Sequence, residues 1–359
     1  MAASADLSDS PPPADERRPA DAPPLLEVRD LRVTYARRRL AGGAGDSNAA
    51  VRDVSLSVPR GATLGLVGES GSGKTTTGLA VLNLVAATGS VMFDGREILG
   101  LAGTEMRLLR RRMQMVFQDP SASLDPRMTV RQLIGAPVKA HAIAAGNQAV
   151  ELIVSLLEKV ALNASFLGRY PHQLSGGQRQ RVAIARSLAT SPEFIVCDEV
   201  TSSLDVSVQA QVVNLLMDLQ ADLGLTLLFI SHNLGVVRQV SQSIAVMYLG
   251  TIVESGPAEQ IYARAAHPYT RALLEAMPSP DPDAQELHSR VYLRADTVGS
   301  RDAASVPVGC VYADRCPFAT SVCRETVPEF LERADGHRVA CHHADQVSAG
   351  VPPQSKGAA

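Results

Sequence analysis

Apolar residues recur along the chain in short blocks whose period changes. Over residues 25–35 they alternate with charge, Leu26, Val28, Leu31 and Val33 against Glu27, Arg29 and Arg32. That is the period of a half-buried strand. Residues 51–58 alternate again through Val54, Leu56 and Val58 and close on the turn Pro59-Arg60-Gly61, so an antiparallel β edge is expected. Residues 62–67, 113–117, 194–197 and 226–230 are compact apolar runs, each read as a buried strand. Between them the period lengthens to that of a helix, as in Val150, Ile153, Val154, Leu157 and Val160, and in Val212, Leu215, Leu216, Leu219 and Leu223. Helices are predicted from residue 76, over 101–112, most of 129–168, 176–189 and 206–223. A hairpin at 244–248 and 251–253 follows, then helices near 259–263 and 269–277. The result is an α/β fold with a mixed sheet core, an antiparallel β edge and a helical insertion.

The pattern lapses in three places. Residues 1–24 are rich in Ala, Asp, Ser and Pro and read as a disordered tail, as do 346–359. The basic and glycine-rich stretch from Arg37 to Asp46 reads as an exposed loop. Pro278-Ser279-Pro280-Asp281-Pro282 marks a linker or domain boundary. With 359 residues, the chain is expected to form two domains, or one large domain with an appendage. A net charge of -3, no Trp and 4% aromatic residues give no basis for nucleic-acid binding or a base-stacking platform. No apolar run is long enough to span a bilayer and no signal segment is evident, so a cytosolic chain is expected.

Specific chemistry enters where apolar blocks end. The run 62–67 leads into Gly68-Glu69-Ser70-Gly71-Ser72-Gly73-Lys74-Thr75 and then a helix. Glycines let a backbone turn its N–H groups inward as an anion nest, and the following helix adds its free N–H groups. Lys74 supplies charge for the β- and γ-phosphates and Thr75 a hydroxyl for Mg²⁺. Gln118-Asp119-Pro120 follows the strand at 113–117. Ser175 is a good helix cap, and Gly176-Gly177 permit close backbone approach. Asp198-Glu199 end the strand at 194–197, where a cation would relieve the cost of two adjacent carboxylates. Ser231-His232-Asn233 end the next strand.

Taken together, these elements resemble the nucleotide-binding subunit of an ATP-binding-cassette (ABC) transporter, a P-loop NTPase cassette, over about residues 25–277. Leu174-Ser175-Gly176-Gly177-Gln178 separates that family from other P-loop proteins. Gln118-Asp119-Pro120, the segment 205–211 and His267-Pro268-Tyr269-Thr270-Arg271-Ala272-Leu273-Leu274 are similar to the subfamily importing oligopeptides, dipeptides and related solutes. The wording around Met247-Tyr248-Leu249-Gly250 leans toward the second of its two ATPase subunits. The resemblance implies ATP binding by Gly68, Ser70, Gly71, Ser72, Gly73, Lys74, Thr75 and Thr76, with Tyr35 stacking on adenine. It implies Mg²⁺ at Thr75, Gln118 and Asp198, Glu199 as general base, and His232 on the γ-phosphate. Ser175, Gly176, Gly177 and Gln178 would complete the ATP site of the opposite subunit, with Asp205 at the dimer interface.

The implied assembly is a dimer with a homologous, different ATPase subunit, working on two transmembrane permease subunits at the cytoplasmic face of the membrane. An extracytoplasmic solute-binding protein would act indirectly, and no nucleic acid is involved. The alternative is a soluble ABC ATPase acting on nucleic acid or ribosomes. The family usually carries Pro after its Asp-Glu pair and Asp after the switch His; this chain has Val200 and Asn233.

The implied layout is a cassette at 25–278, with a helical subdomain at about 119–175, and a small Cys-rich C-terminal extension at 279–345. Four of the five cysteines, Cys310, Cys316, Cys323 and Cys341, fall in that extension, while Cys197 lies in a core strand. Their spacing lacks the short pairs that begin most zinc sites, and four thiolates suit an iron–sulfur cluster. The family resemblance implies a [4Fe–4S] cluster. Zinc with His337, His342 or His343, and free or paired thiols, are the other readings.

Overall fold

The computed structural model describes residues 23–36, 47–202, 204–277, 308–334 and 336–349. Nearly all of the expected N-terminal tail, the loop after Tyr35, the linker at 278–282 and residues 350–359 lie outside the described residues.

Two sheets form the frame. The smaller comprises β1 (Leu26–Ala36), β2 (Ser47–Val58), β4 (Thr88–Phe93) and β5 (Arg96–Glu97), antiparallel in the order β2-β1-β4-β5. Its apolar positions, among them Leu26, Val28, Leu31, Val54, Val91 and Phe93, point into one core.

The larger sheet is built on β3 (Thr63–Val67), β6 (Met113–Val116), β7 (Phe194–Asp198) and β8 (Thr226–Ser231), parallel in the order β3-β8-β7-β6. All five residues of β3, all five of β7 and all six of β8 are buried. Burial on both faces explains why these strands read as continuous apolar runs. β9 (Ser243–Tyr248) pairs with β3 in parallel and β10 (Thr251–Pro257) returns antiparallel to it. Two strands from residues 331–339 continue the sheet. β12 (His337–Val339) pairs with β10 through Glu254↔Val339 and Ser255↔Arg338, and β11 (Leu331–Ala334) pairs with β12.

Helix α1 (Lys74–Val81) and helix α2 (Gly103–Arg112) follow β3 and β5. The segment from α3 (Pro120–Ser123) through α4 (Val130–Ala140) and α5 (Gly146–Lys159) to α6 (Gly176–Leu188) is helical, as its periodicity predicts. Leu133, Ile134, Ile153, Leu157 and Val182 pack this segment into the second core. Then come α7 (Val206–Leu223), α8 (Leu234–Val240), α9 (Ala258–Arg264) and α10 (Pro268–Glu275). The tail expected from residue 346 begins inside a helix, Ala344–Ala349, which is anchored by the buried Val347. Among the described residues no helix is long and apolar enough to cross a membrane.

Candidate functional site

Parallel order places the C-terminal ends of β3, β8, β7 and β6 along one edge, where ligands of open α/β sheets bind. The loop 68–75 leaves β3 there. Two of its glycines are required by space as well as by backbone conformation. Gly68 has φ +155°, and a Cβ on it would come within 2.1 Å of the Met247 carbonyl oxygen. Gly73, which starts α1, has φ +103° and would meet the Ala50 carbonyl oxygen at 2.3 Å. Lys74 is almost wholly buried, and its Nζ donates to the carbonyls of Gly68 and Glu69 at 2.8 Å each. Burial lowers its pKa, while the charges of Glu199, Asp198 and Glu69 pull the other way. The ammonium is therefore held by loop carbonyls inside the nest that its phosphate partners would enter.

Asp198 closes β7. Its Oδ1 accepts from the Thr75 hydroxyl at 3.0 Å. Burial raises its pKa; the Thr75 hydrogen bond and Lys74 oppose this, and neighbouring Glu199 adds to it. A divalent cation beside Thr75 and Asp198 would relieve that burial cost, so the donors suit Mg²⁺ held jointly with substrate phosphates. Glu199 has φ +42°, a left-handed conformation costly for a residue with a side chain. Its N–H is fixed by the Ile230 carbonyl at 2.9 Å. Gln118 Nε2 donates to Glu199 Oε2 at 2.9 Å, and His232 Nδ1 lies 3.4 Å from Glu199 Oε1. Gln118 and His232, from two strand ends, thus converge on the carboxylate that ends a third.

Ser70, Gly71, Gly73, Lys74, Thr75, Thr76, Gln118, Glu199 and His232 line one open cleft of about 520 Å³, joined by Ala50 from β2. Sequence reasoning did not single out Ala50; nothing local marks it. Gly68 and Ser72 support the loop, and Asp198 lies behind Thr75. Tyr35 is 45% exposed and pairs with Asn48 on β2, two positions from Ala50, but does not itself line the cleft. Ser175, Gly176, Gly177, Gln178 and Asp205 are elsewhere on the surface. Ser175 caps α6 in a reciprocal box with Gln178, and Asp205 caps α7 by accepting from Val208 N–H at 2.9 Å. The two departures are accommodated. Val200 is buried in the core, and Asn233 caps α8 by accepting from Val236 N–H.

Residues 51–202 match the ABC transporter family, and residues 253–323 match the oligopeptide/dipeptide transporter C-terminal region. The chain is 49% identical over 319 residues to a putative peptide import ATP-binding protein of Brucella ovis, covering 89% of this chain and 97% of that one. The chain belongs to the family of ABC transporter ATP-binding subunits. It is accordingly an ATPase, the ATP-hydrolysing subunit of a transporter. It is also 44% identical over 322 residues to the oligopeptide transport ATP-binding protein AppF of Bacillus subtilis, covering 89% and 97% of the two chains. Among solved structures, the ATP-binding cassette MJ0796, described as dimeric in a post-hydrolysis state with ADP and Pi, matches with TM-score 0.58 and 28% identity. That match covers 65% of this chain and 98% of the other. The cassette cbiO1 of Clostridium perfringens shares the fold, with TM-score 0.59 at 24% identity over 67% and 92% of the two chains.

The [4Fe–4S] reading of this ABC subunit finds no support. Among the described residues no group of three or more His, Cys, Asp or Glu is placed to hold a metal ion. Burial pushes the Cys316 and Cys341 thiols up to about 12, and the neighbouring thiols push the same way. Cys323 faces the Thr320 hydroxyl at 3.7 Å. The three histidines of the zinc reading have other partners: His337 on Glu254, His342 on the Thr326 carbonyl and His343 on Thr320. Among the described residues nothing supports a metal or cluster at these cysteines, and no step is assigned to one.

Proposed function

We propose that this chain energises import of peptides or related small solutes from the cytoplasmic face of the membrane. It would pair with a homologous, different ATPase subunit and drive two permease subunits, with a solute-binding protein delivering cargo outside. The peptide assignment is supported by the functions for which its relatives are named and by the match of its C-terminal region. In this reading residues 25–278 form the cassette, with a helical subdomain at about 119–175, and residues 279–345 the extension. A groove lined by Leu82, Leu84, Met113, Met115 and Phe117, with Arg110, Gln114 and Arg186 among them, offers the permease subunits a seat of mixed character; Leu84 and Phe117 are 44% and 38% exposed.

The roles follow from charge and reach. Lys74 and the loop N–H groups of 70–76 hold the phosphates of ATP, and the adenine would extend past the cleft to reach Tyr35. Thr75, Asp198 and Gln118 would hold Mg²⁺, which would supply neutralisation of the phosphate charge. Glu199 polarises the attacking water, and His232 fixes the γ-phosphate. Catalysis is then positioning and charge neutralisation. The observation that carries the proposal is the meeting of Gln118, His232 and Glu199 at the mouth of the loop. The second is that Ser175, Gly176, Gly177 and Gln178 stand outside the cleft, free to cover a partner's ATP across Asp205. Glu199→Gln tests it. ATP binding is retained while turnover of the assembled transporter falls by about 100-fold or more; turnover near the parent level would remove Glu199 from the role.

A further inference from the structure

Glu69 is the acidic residue inside the loop 68–75, and it is gripped from three directions. Its N–H donates to the Tyr269 hydroxyl at 2.8 Å. Its carbonyl accepts from Lys74 at 2.8 Å. Its carboxylate accepts from Arg315 Nη1 at 2.9 Å, across 246 residues of chain. Arg315 belongs to the extension. Its guanidinium lies 5.8 Å from the ring centres of both Tyr248 and Tyr312. Tyr248, Tyr269 and Tyr312 form one cluster with centroids 4.7, 5.2 and 5.5 Å apart. Tyr269 and Tyr312 are 1% and 2% exposed, so the cluster is a rigid footing and Arg315 is held on it rather than swinging in solvent.

A carboxylate in a phosphate-binding loop repels the anion that the loop must hold. A guanidinium bound to it cancels that repulsion and fixes the loop's backbone through the same residue. We propose that Arg315 is a positioning residue for nucleotide: it neutralises Glu69 and, with the Tyr269 hydroxyl, clamps the first turn of the loop from the extension. The extension is thereby coupled to the ATP cleft of its own chain. The inference rests on the reading of 68–75 as the ATP cradle.

The test is fluorescence titration of the full chain with trinitrophenyl-ATP and Mg²⁺, with melting temperature followed in parallel. Arg315→Gln weakens binding about three- to tenfold, the range of a well-formed but partly exposed pair. Arg315→Lys, which keeps the charge, restores most of the loss. In the Glu69→Gln background the same Arg315→Gln change costs less than about twofold, because no carboxylate remains to be neutralised. Unchanged binding in Arg315→Gln overturns the proposal. So does an equal loss in the Glu69→Gln background, which would mark Arg315 as a packing residue. Should Arg315→Gln not fold, Tyr269→Phe removes only the hydroxyl acceptor: about two- to threefold weaker binding supports the clamp, and unchanged binding overturns it. Lys74→Ala is the separate control. If it binds nucleotide as the parent does, the cradle reading itself fails, and the clamp with it.

Discussion

At the ends of β3 and β7 the chain buries Lys74 and Asp198 where burial lowers the pKa of one and raises that of the other, beside Glu199 at φ +42°. On β10 it buries Glu254 completely, yet there the carboxylate is met on every side. Its oxygens accept from Ala266 N–H at 2.6 Å and His267 N–H at 3.1 Å, and His337 Nε2 lies 2.8 Å from Oε1. The first region leaves electrostatic demand for a ligand to meet; the second meets it from within the chain. Perturbed charge and backbone strain gather where something must bind. Satisfied burial gathers where two parts of the chain must stay joined, since Glu254 links β10, the start of α10 and the extension.

The two regions part most clearly when their carboxylates are mutated. Glu254→Ala strands three donors and costs on the order of 3–5 kcal/mol of folding stability. Asp198→Asn removes a buried carboxylate whose ligand is not yet bound, so stability stays within about 1 kcal/mol of the parent while Mg²⁺-dependent turnover collapses. Urea unfolding of the full chain, read by circular dichroism, checks both. Equal destabilisation by the two changes would erase the distinction.

Acid should loosen the junction next. His267 is buried, and burial lowers its pKa to about 4 from an ordinary value of 6.5, with Glu254 opposing. Its Nδ1 accepts from Tyr269 N–H at 3.1 Å, which requires an unprotonated Nδ1. The unfolded chain binds this proton at higher pH than the folded chain does. The contribution is therefore fully present above about pH 6.5 and is lost as pH falls toward 4. The loss amounts to roughly 2–3 kcal/mol. His267→Asn keeps a capping acceptor and removes the titration, so its stability profile over that window should flatten. A profile as steep as the parent's would clear His267 of the effect.

Most of the cleft was legible in the sequence because each part is local. The glycine spacing before Lys74, the pair Asp198-Glu199 and the polar residues after β6 and β8 all sit where an apolar run stops. The buried parallel strands announce themselves for the same reason. The junction was not legible. Glu254 and His337 are 83 residues apart and Glu69 and Arg315 are 246 apart, and pairing over such distances leaves no periodic trace. β12 is three residues long, too short to carry a pattern, and gains its place only by pairing with β10. The cysteines show the converse hazard. Their spacing invited a cluster, but spacing carries no information on where the thiols point or what else His337, His342 and His343 touch. Tyr35 lies between these cases: the aromatic is visible, whereas its distance from the cleft depends on the register of β1 against β2.

Asn233 shows the same contrast at its smallest scale: it follows the cleft residue His232, yet its own demand is met internally. It caps α8, accepting from Val236 N–H at 3.4 Å, while its backbone N–H donates to Ser231 Oγ at 3.0 Å. The resembling family usually has Asp here, and the two side chains share the acceptor that a cap requires. Asn233→Ala should therefore cost about 1 kcal/mol of stability, and Asn233→Asp should stay within about 0.5 kcal/mol of the parent, helped by the helix dipole. His232 would be less well aimed at Glu199 in the alanine variant, so turnover should fall several-fold there and hold in the aspartate variant. Urea midpoints and ATPase rates of both variants separate the outcomes. If Asn233→Asp loses as much stability as Asn233→Ala, the cap is not what this residue contributes, and the cleft edge depends on its ligand even here.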